Sequence, residues 1–125
     1  MTVSNILQTF DSENENDISL DLKEKWISEL DARIVGELTS VREGLKTEAY
    51  TPECDITTEL AAPDEYSEIY VVYLKMKMDY MLSEINRYNN SANLFNRLYY
   101  EMANMISRNF KVKVRNSIKV AMGNA

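Results

Sequence analysis

Asp64, Glu65 and Glu68 stand within five residues of one another, and Asp79 follows Lys75 by four residues and precedes Glu84 by five. Carboxylates gathered in this way are the raw material of a site for a hard cation such as magnesium. Their spacing matches no metal-ligand motif, however, and acids at the start of a helix are what its positive N-terminal end favours. The expectation is therefore no metal and no cofactor. The one thiol, Cys54, lies between Glu53 and Asp55, and acidic neighbours disfavour the thiolate that a nucleophile needs. The chain has no histidine, so it lacks the commonest general base, and neither a Ser-His-Asp nor a Cys-His site can be built within it. Gly36, Gly44 and Gly123 are too scattered for a phosphate-binding loop. No catalytic set emerges, and the chain reads as a non-enzyme.

The elements that would position any such residues are helical. Tyr66, Ile69, Tyr70, Tyr73, Met76, Tyr80, Met81, Ile85 and Tyr88 recur at spacings of mostly three and four, and Leu94, Phe95, Leu98, Tyr99, Met102, Ile106 and Phe110 resume the pattern. Such spacing predicts two helices, near 64–88 and 91–110, folded back on each other at Asn89-Asn90-Ser91. Ser91 or Asn90 is the expected cap of the second, and Pro63 suits the first turn of the first. Upstream, Val3, Ile6, Leu7 and Phe10 share a face near 2–10, with Thr2 as N-cap, and 11–17 reads as an acidic loop. Leu22, Trp26, Leu30, Ile34 and Leu38 predict a helix near 21–38, with Asp21 and Glu24 spaced like a capping box. Residues 45–62 have no clear period. Within them Thr57-Thr58-Glu59-Leu60 carries a weak strand signal. The expected fold is all-α: one small helical bundle over 1–110, dominated by a long antiparallel hairpin. Trp26, Tyr66, Tyr73, Tyr80, Leu98 and Met102 are its expected packing residues, in the core or at an interface. Tyr73, Leu74, Leu98, Met102 and Trp26 should be largely buried.

Charge is distributed unevenly. Residues 1–68 carry 17 acids and 5 bases, whereas 108–125 carry 5 bases and no acid. Ends of opposite sign suit different surfaces, although a solvated acidic front and a free basic tail give the same counts. Lys111-Val112-Lys113-Val114-Arg115 alternates basic and apolar residues, a strand pattern that Ile118 and Val120 extend imperfectly. With no strand partner expected in a helical body, residues 111–125 read as an extended tail. Lys111, Val112, Lys113, Val114, Arg115 and Lys119 are its candidate partner-binding residues, through addition to a sheet edge elsewhere. No run approaches the roughly 18 apolar residues of a membrane span. The first residues lack the pattern of a secretory signal, and a lone thiol fits a reducing compartment.

The runs Asp64-Glu65-Tyr66-Ser67-Glu68-Ile69-Tyr70, Met78-Asp79-Tyr80, Glu84-Ile85-Asn86-Arg87-Tyr88-Asn89-Asn90-Ser91 and Leu94-Phe95-Asn96 to Tyr99 resemble the head–tail connector proteins (adaptor or head-completion proteins) of tailed bacteriophages. The block Lys25-Trp26-Ile27-Ser28-Glu29-Leu30-Asp31 is similar to the second helix of that family, so the resemblance covers roughly residues 21–110. It implies a non-enzymatic, all-helical subunit that forms a homo-oligomeric ring beneath the portal protein. The ring extends the channel through which DNA passes without specific recognition, and offers a docking surface to the tail-completion protein. The implied location is the head–tail junction of the virion, assembled in the bacterial cytoplasm, with the C-terminal segment gripping the portal. The competing reading is a small acidic helical adaptor or regulator whose basic tail binds a protein or nucleic acid.

Overall fold

Thr2 opens the first helix with a reciprocal cap. Its hydroxyl accepts from the Asn5 amide at 3.1 Å, while the Asn5 side chain accepts from the Thr2 amide at 3.2 Å. A cap of this kind is worth about 1 kcal/mol. The computed structural model describes residues 1–114, and over them the chain is all-α. Its elements are α1 (Val3–Glu13), α2 (Leu20–Ile34) running into a π-helical turn (Val35–Thr39), a 3-10 turn (Asp64–Tyr66), α3 (Glu68–Met81) and α4 (Ile85–Asn109). Helices α3 and α4 pack most extensively, and α1 and α2 close over α3. Val3, Ile6, Phe10, Ile27, Leu30, Ile34, Ile69, Leu74, Met102 and Ile106 fill the centre.

Several boundaries depart from the sequence reading. Helix α1 continues through Asp11, Ser12 and Glu13 because Asp11 finds a cation: the buried Lys23 ammonium reaches its carboxylate at 2.7 Å. Helix α2 is capped by Ser19, whose hydroxyl accepts from the Leu22 amide, rather than by an Asp21–Glu24 pair. Pro63 stands just before the 3-10 turn and not inside a helix.

The largest departure is the hairpin turn. It falls at Leu82-Ser83-Glu84, seven residues before the expected Asn89-Asn90-Ser91, which lies inside α4. Ser83 takes a left-handed backbone with φ 57°, and the Glu84 amide donates back to the Asp79 carbonyl at 2.9 Å, closing the turn. Asparagine costs a helix interior less than 1 kcal/mol relative to alanine. Two features of α4 offset that. The buried Ser91 hydroxyl donates to the buried Asp79 carboxylate at 3.0 Å, and the Tyr88 and Tyr80 rings form a tilted pair with centroids 5.6 Å apart. Tertiary pairing therefore overrides local turn chemistry.

The aperiodic segment 45–62 is drawn inward. Asp31, fully buried on α2, accepts from the Tyr50 amide at 2.7 Å, the Ala61 amide at 2.9 Å and the Tyr70 hydroxyl at 2.7 Å. The Tyr70 hydroxyl in turn accepts from the Ala62 amide at 2.9 Å. One carboxylate thus satisfies donors from three separate stretches of chain, none of them cationic. The weak strand signal at 57–60 corresponds to a single antiparallel bridge from Glu59 to Thr2. There the Thr58 and Ile56 carbonyls accept from the Val3 and Ser4 amides, first-turn donors that have no partner within α1.

Candidate functional site

At the tip of the hairpin, the turn leaves apolar side chains uncovered. Tyr80 is 71% exposed and Ile85 70%, with Leu82 at 58% and Met81 at 48% between them. A hollow of about 520 Å³ opens here among Tyr80, Ser83, Glu84, Ile85 and Tyr88. Its neighbour, a groove of about 300 Å³, has an apolar floor of Ile18, Met78, Met81 and Leu82 and an acidic rim of Glu15 and Asp17. Among the described residues no basic side chain pairs with Glu15 or Asp17. The tip is built from α3, α4 and the α1–α2 connection, so its shape follows from the helix packing and not from one motif.

The other end of the bundle carries the tail. Lys111, Val112 and Lys113 do have a partner in their own chain, contrary to the sequence expectation. Val112 bridges Arg42, the Glu43 amide donates to the Lys111 carbonyl and the Lys113 amide to the Val41 carbonyl, both at 2.8 Å. The Arg42 guanidinium donates to the Phe110 carbonyl at 2.9 Å. The segment just past the π-helical turn supplies this edge, which helix periodicity cannot reveal. The side chains of Val112 and Val114 remain 56% and 61% exposed. Arg115 and Lys119 lie outside the described residues.

Between the two ends runs a polar seam. Arg33 stacks over the Tyr99 ring at 4.2 Å and pairs with Glu37 at 3.0 Å. The Tyr99 hydroxyl donates to the same carboxylate, and together with Arg33 it holds Glu37 below its usual range. Burial and the Glu37 bond push the Tyr99 phenol up. Nearby, the Lys77 ammonium lies 5.4 Å from the centre of the Tyr73 ring and 3.8 Å from Glu29. These pairs tie α2 to α3 and α4.

The expected packing residues separate into classes. Trp26 and Met102 are buried. Tyr66, Tyr73 and Leu98 are half-buried at the margin of the core, so Tyr73 and Leu98 are less enclosed than their spacing suggested. The buried face of α4 is Ser91, Phe95, Met102 and Ile106, and Leu98 flanks it. Tyr80 is no core residue at all. It stands one residue before the end of α3, beside the turn at Leu82-Ser83-Glu84, and its ring remains in solvent. Leu74 is fully buried.

The carboxylates do not assemble. Asp64 lies beside the N-terminal ammonium at 2.6 Å, Asp79 faces Ser91, and no cluster of three metal-ligating side chains occurs among the described residues. Cys54 is exposed, and hydrogen bonds from Thr51 draw its thiol below the usual value despite the opposing charge of Glu53. That corrects the expectation that flanking acids would dominate: a local hydrogen bond outweighs a solvated charge. No described helix is long and apolar enough to cross a membrane.

Comparison with known proteins adds no constraint. No protein family, curated protein or solved structure matches the chain. The tip was missed by sequence reasoning because Met81 and Ile85 sit in register with the hairpin stripe. No spacing signal set it apart, since adjacent apolar pairs such as Ile69-Tyr70 and Leu98-Tyr99 recur along both helices.

Proposed function

We propose that the chain is a structural subunit of a phage head–tail connector, assembling into a ring beneath the portal, extending the DNA channel and offering a surface to the tail-completion protein. The carrying observation is the uncovered apolar tip, where Tyr80, Met81, Leu82 and Ile85 are all exposed on one hairpin end. Contiguous apolar surface of this kind marks a place where another protein packs. The residue runs that resemble the connector family lie on the helices that build this tip, which supports the same reading. The side chains of Val112 and Val114 are exposed, and the tail they lead into is an arm towards another chain. An acidic chain, with a net charge of −6 over its full length, suits a conduit that DNA must traverse without adhering.

The test is to add the purified chain to portal rings and look by electron microscopy for a second ring stacked on the first. The double substitution Tyr80→Ser with Ile85→Ser is the control, and it should remove the added density while leaving the fold intact. Absence of any added density with the natural sequence would defeat the proposal. The adaptor reading makes the opposite forecast: salt-dependent nucleic-acid binding that disappears when Lys111, Lys113, Arg115 and Lys119 are neutralised.

A further inference from the structure

The acidic-rimmed groove and the tail sit at opposite ends of α4. The groove includes Met81 and Leu82 at the turn, whereas the tail is fixed beside Val41, Arg42 and Glu43, past Asn109. Helix α4 has 25 residues, which at 1.5 Å per residue separates the two sites by about 37 Å. Val120 is six residues beyond Val114, a span of at most about 22 Å when fully extended. A chain therefore cannot lay residues 114–120 in its own groove.

The chemistry of the two sites is nevertheless complementary. In extended form, Val114, Ile118 and Val120 fall on one face of the segment, and Arg115 and Lys119 on the other. The groove presents an apolar floor with two carboxylates at its rim, neither of them paired to a described base. Apolar residues would cover Ile18 and Met78 while the bases meet Glu15 and Asp17.

We propose that residues 114–120 of one copy occupy the groove beside Glu15 and Asp17 of the next copy, joining copies head to tail. Because the two surfaces differ, the contact is heterologous, and repeated copies close into a ring or run on as a filament. This deepens the ring reading, on which it rests for its partner, by naming the surfaces that meet.

The full-length chain in sedimentation velocity at rising concentration tests it. Two variants reverse one side each, Glu15→Lys with Asp17→Lys and Arg115→Glu with Lys119→Glu, and a third carries all four changes. Glu15 and Asp17 are exposed residues of a connection, and thermal melts verify that each variant folds. Each single-sided reversal should weaken association by about tenfold or more, and the four-residue swap should restore it. Association of the natural chain should also weaken as salt rises. Unchanged association in either single-sided variant, or a swap that fails to restore it, overturns the inference yet leaves the ring reading, because copies then meet elsewhere. A natural chain that stays monomeric to about 1 mM, near the weak end of measurable affinity, also overturns it. The portal experiment then judges the ring reading separately.

Discussion

The segment 45–62 and the hairpin tip are both connections between helices, yet the protein treats them in opposite ways. The longer one, irregular and polar in sequence, is pulled against α2 by the Asp31 carboxylate until Tyr50, Leu60, Ala61 and Ala62 are buried. The shorter one, Leu82-Ser83-Glu84, is left in solvent together with its helix-end neighbours Tyr80, Met81 and Ile85. Burial here follows from where a chain finds hydrogen-bond partners as well as from how apolar it is. Backbone amides leave water only when an acceptor awaits them. Asp31 provides that acceptor for the long segment. At the tip the turn closes on its own backbone, and among the described residues nothing covers its side chains.

The largest effect should come from Asp31. Replacing it with Asn or Ala leaves the Tyr50 and Ala61 amides and the Tyr70 hydroxyl without their acceptor. The cost should be on the order of 3–5 kcal/mol, read from a denaturant melt. A loss under about 1 kcal/mol would mean that the long segment is held by its side chains instead.

Next comes the core beneath both regions. Truncating the fully buried Met102 to Ala should cost about 2–5 kcal/mol. Leu98→Ala, at the half-buried margin, should cost less. Equal losses would show that the buried face of α4 is misassigned.

Two buried tyrosines sharpen the contrast within the long segment's surroundings. Tyr70→Phe orphans the Ala62 amide and removes a donor to Asp31, costing about 1–3 kcal/mol. The Tyr50 hydroxyl, by contrast, is buried with no hydrogen-bond partner. Tyr50→Phe should therefore be neutral or stabilising by up to about 1 kcal/mol. Burial, with Glu24 and Cys54 adding to it, pushes the Tyr50 phenol up to about 12 from 10.0. A folded-state value above the unfolded one means that this contribution is full below pH 10.0 and is lost as pH rises towards about 12. Melts between pH 9 and 12, in roughly unit steps, should show the natural chain losing ground to Tyr50→Phe at the alkaline end.

The smallest effect on stability should come from the tip. Tyr80→Ser with Ile85→Ser should change the melt by no more than about 0.5 kcal/mol per site, since exposed side chains contribute little to folding. Removing residues 115–125 should be similarly silent. A deletion that starts at 111 should cost more, because it also strips the bridge to Arg42. A tip substitution that unfolds the domain would erase the distinction between the two connections.

The helical class, the amphipathic faces of α1 and α2 and the pairing of two long helices were all legible in the residues. Periodicity records which side of a helix leaves water, and the stripe of Val3, Ile6, Leu7 and Phe10 states that without ambiguity. Thr2 as a cap was legible for the same reason, because capping is a local exchange of hydrogen bonds. Three features were decided only in three dimensions. The turn at Ser83 displaced the turn-forming Asn89-Asn90-Ser91 because Ser91 finds Asp79 across the hairpin. The order in 45–62 depends on Asp31, between 19 and 30 residues away from the amides it binds. The tail's own-chain partner lies at 41–43, some seventy positions earlier along the chain. In each case a hydrogen bond between residues distant in sequence sets the outcome, and no local period or propensity encodes such a bond.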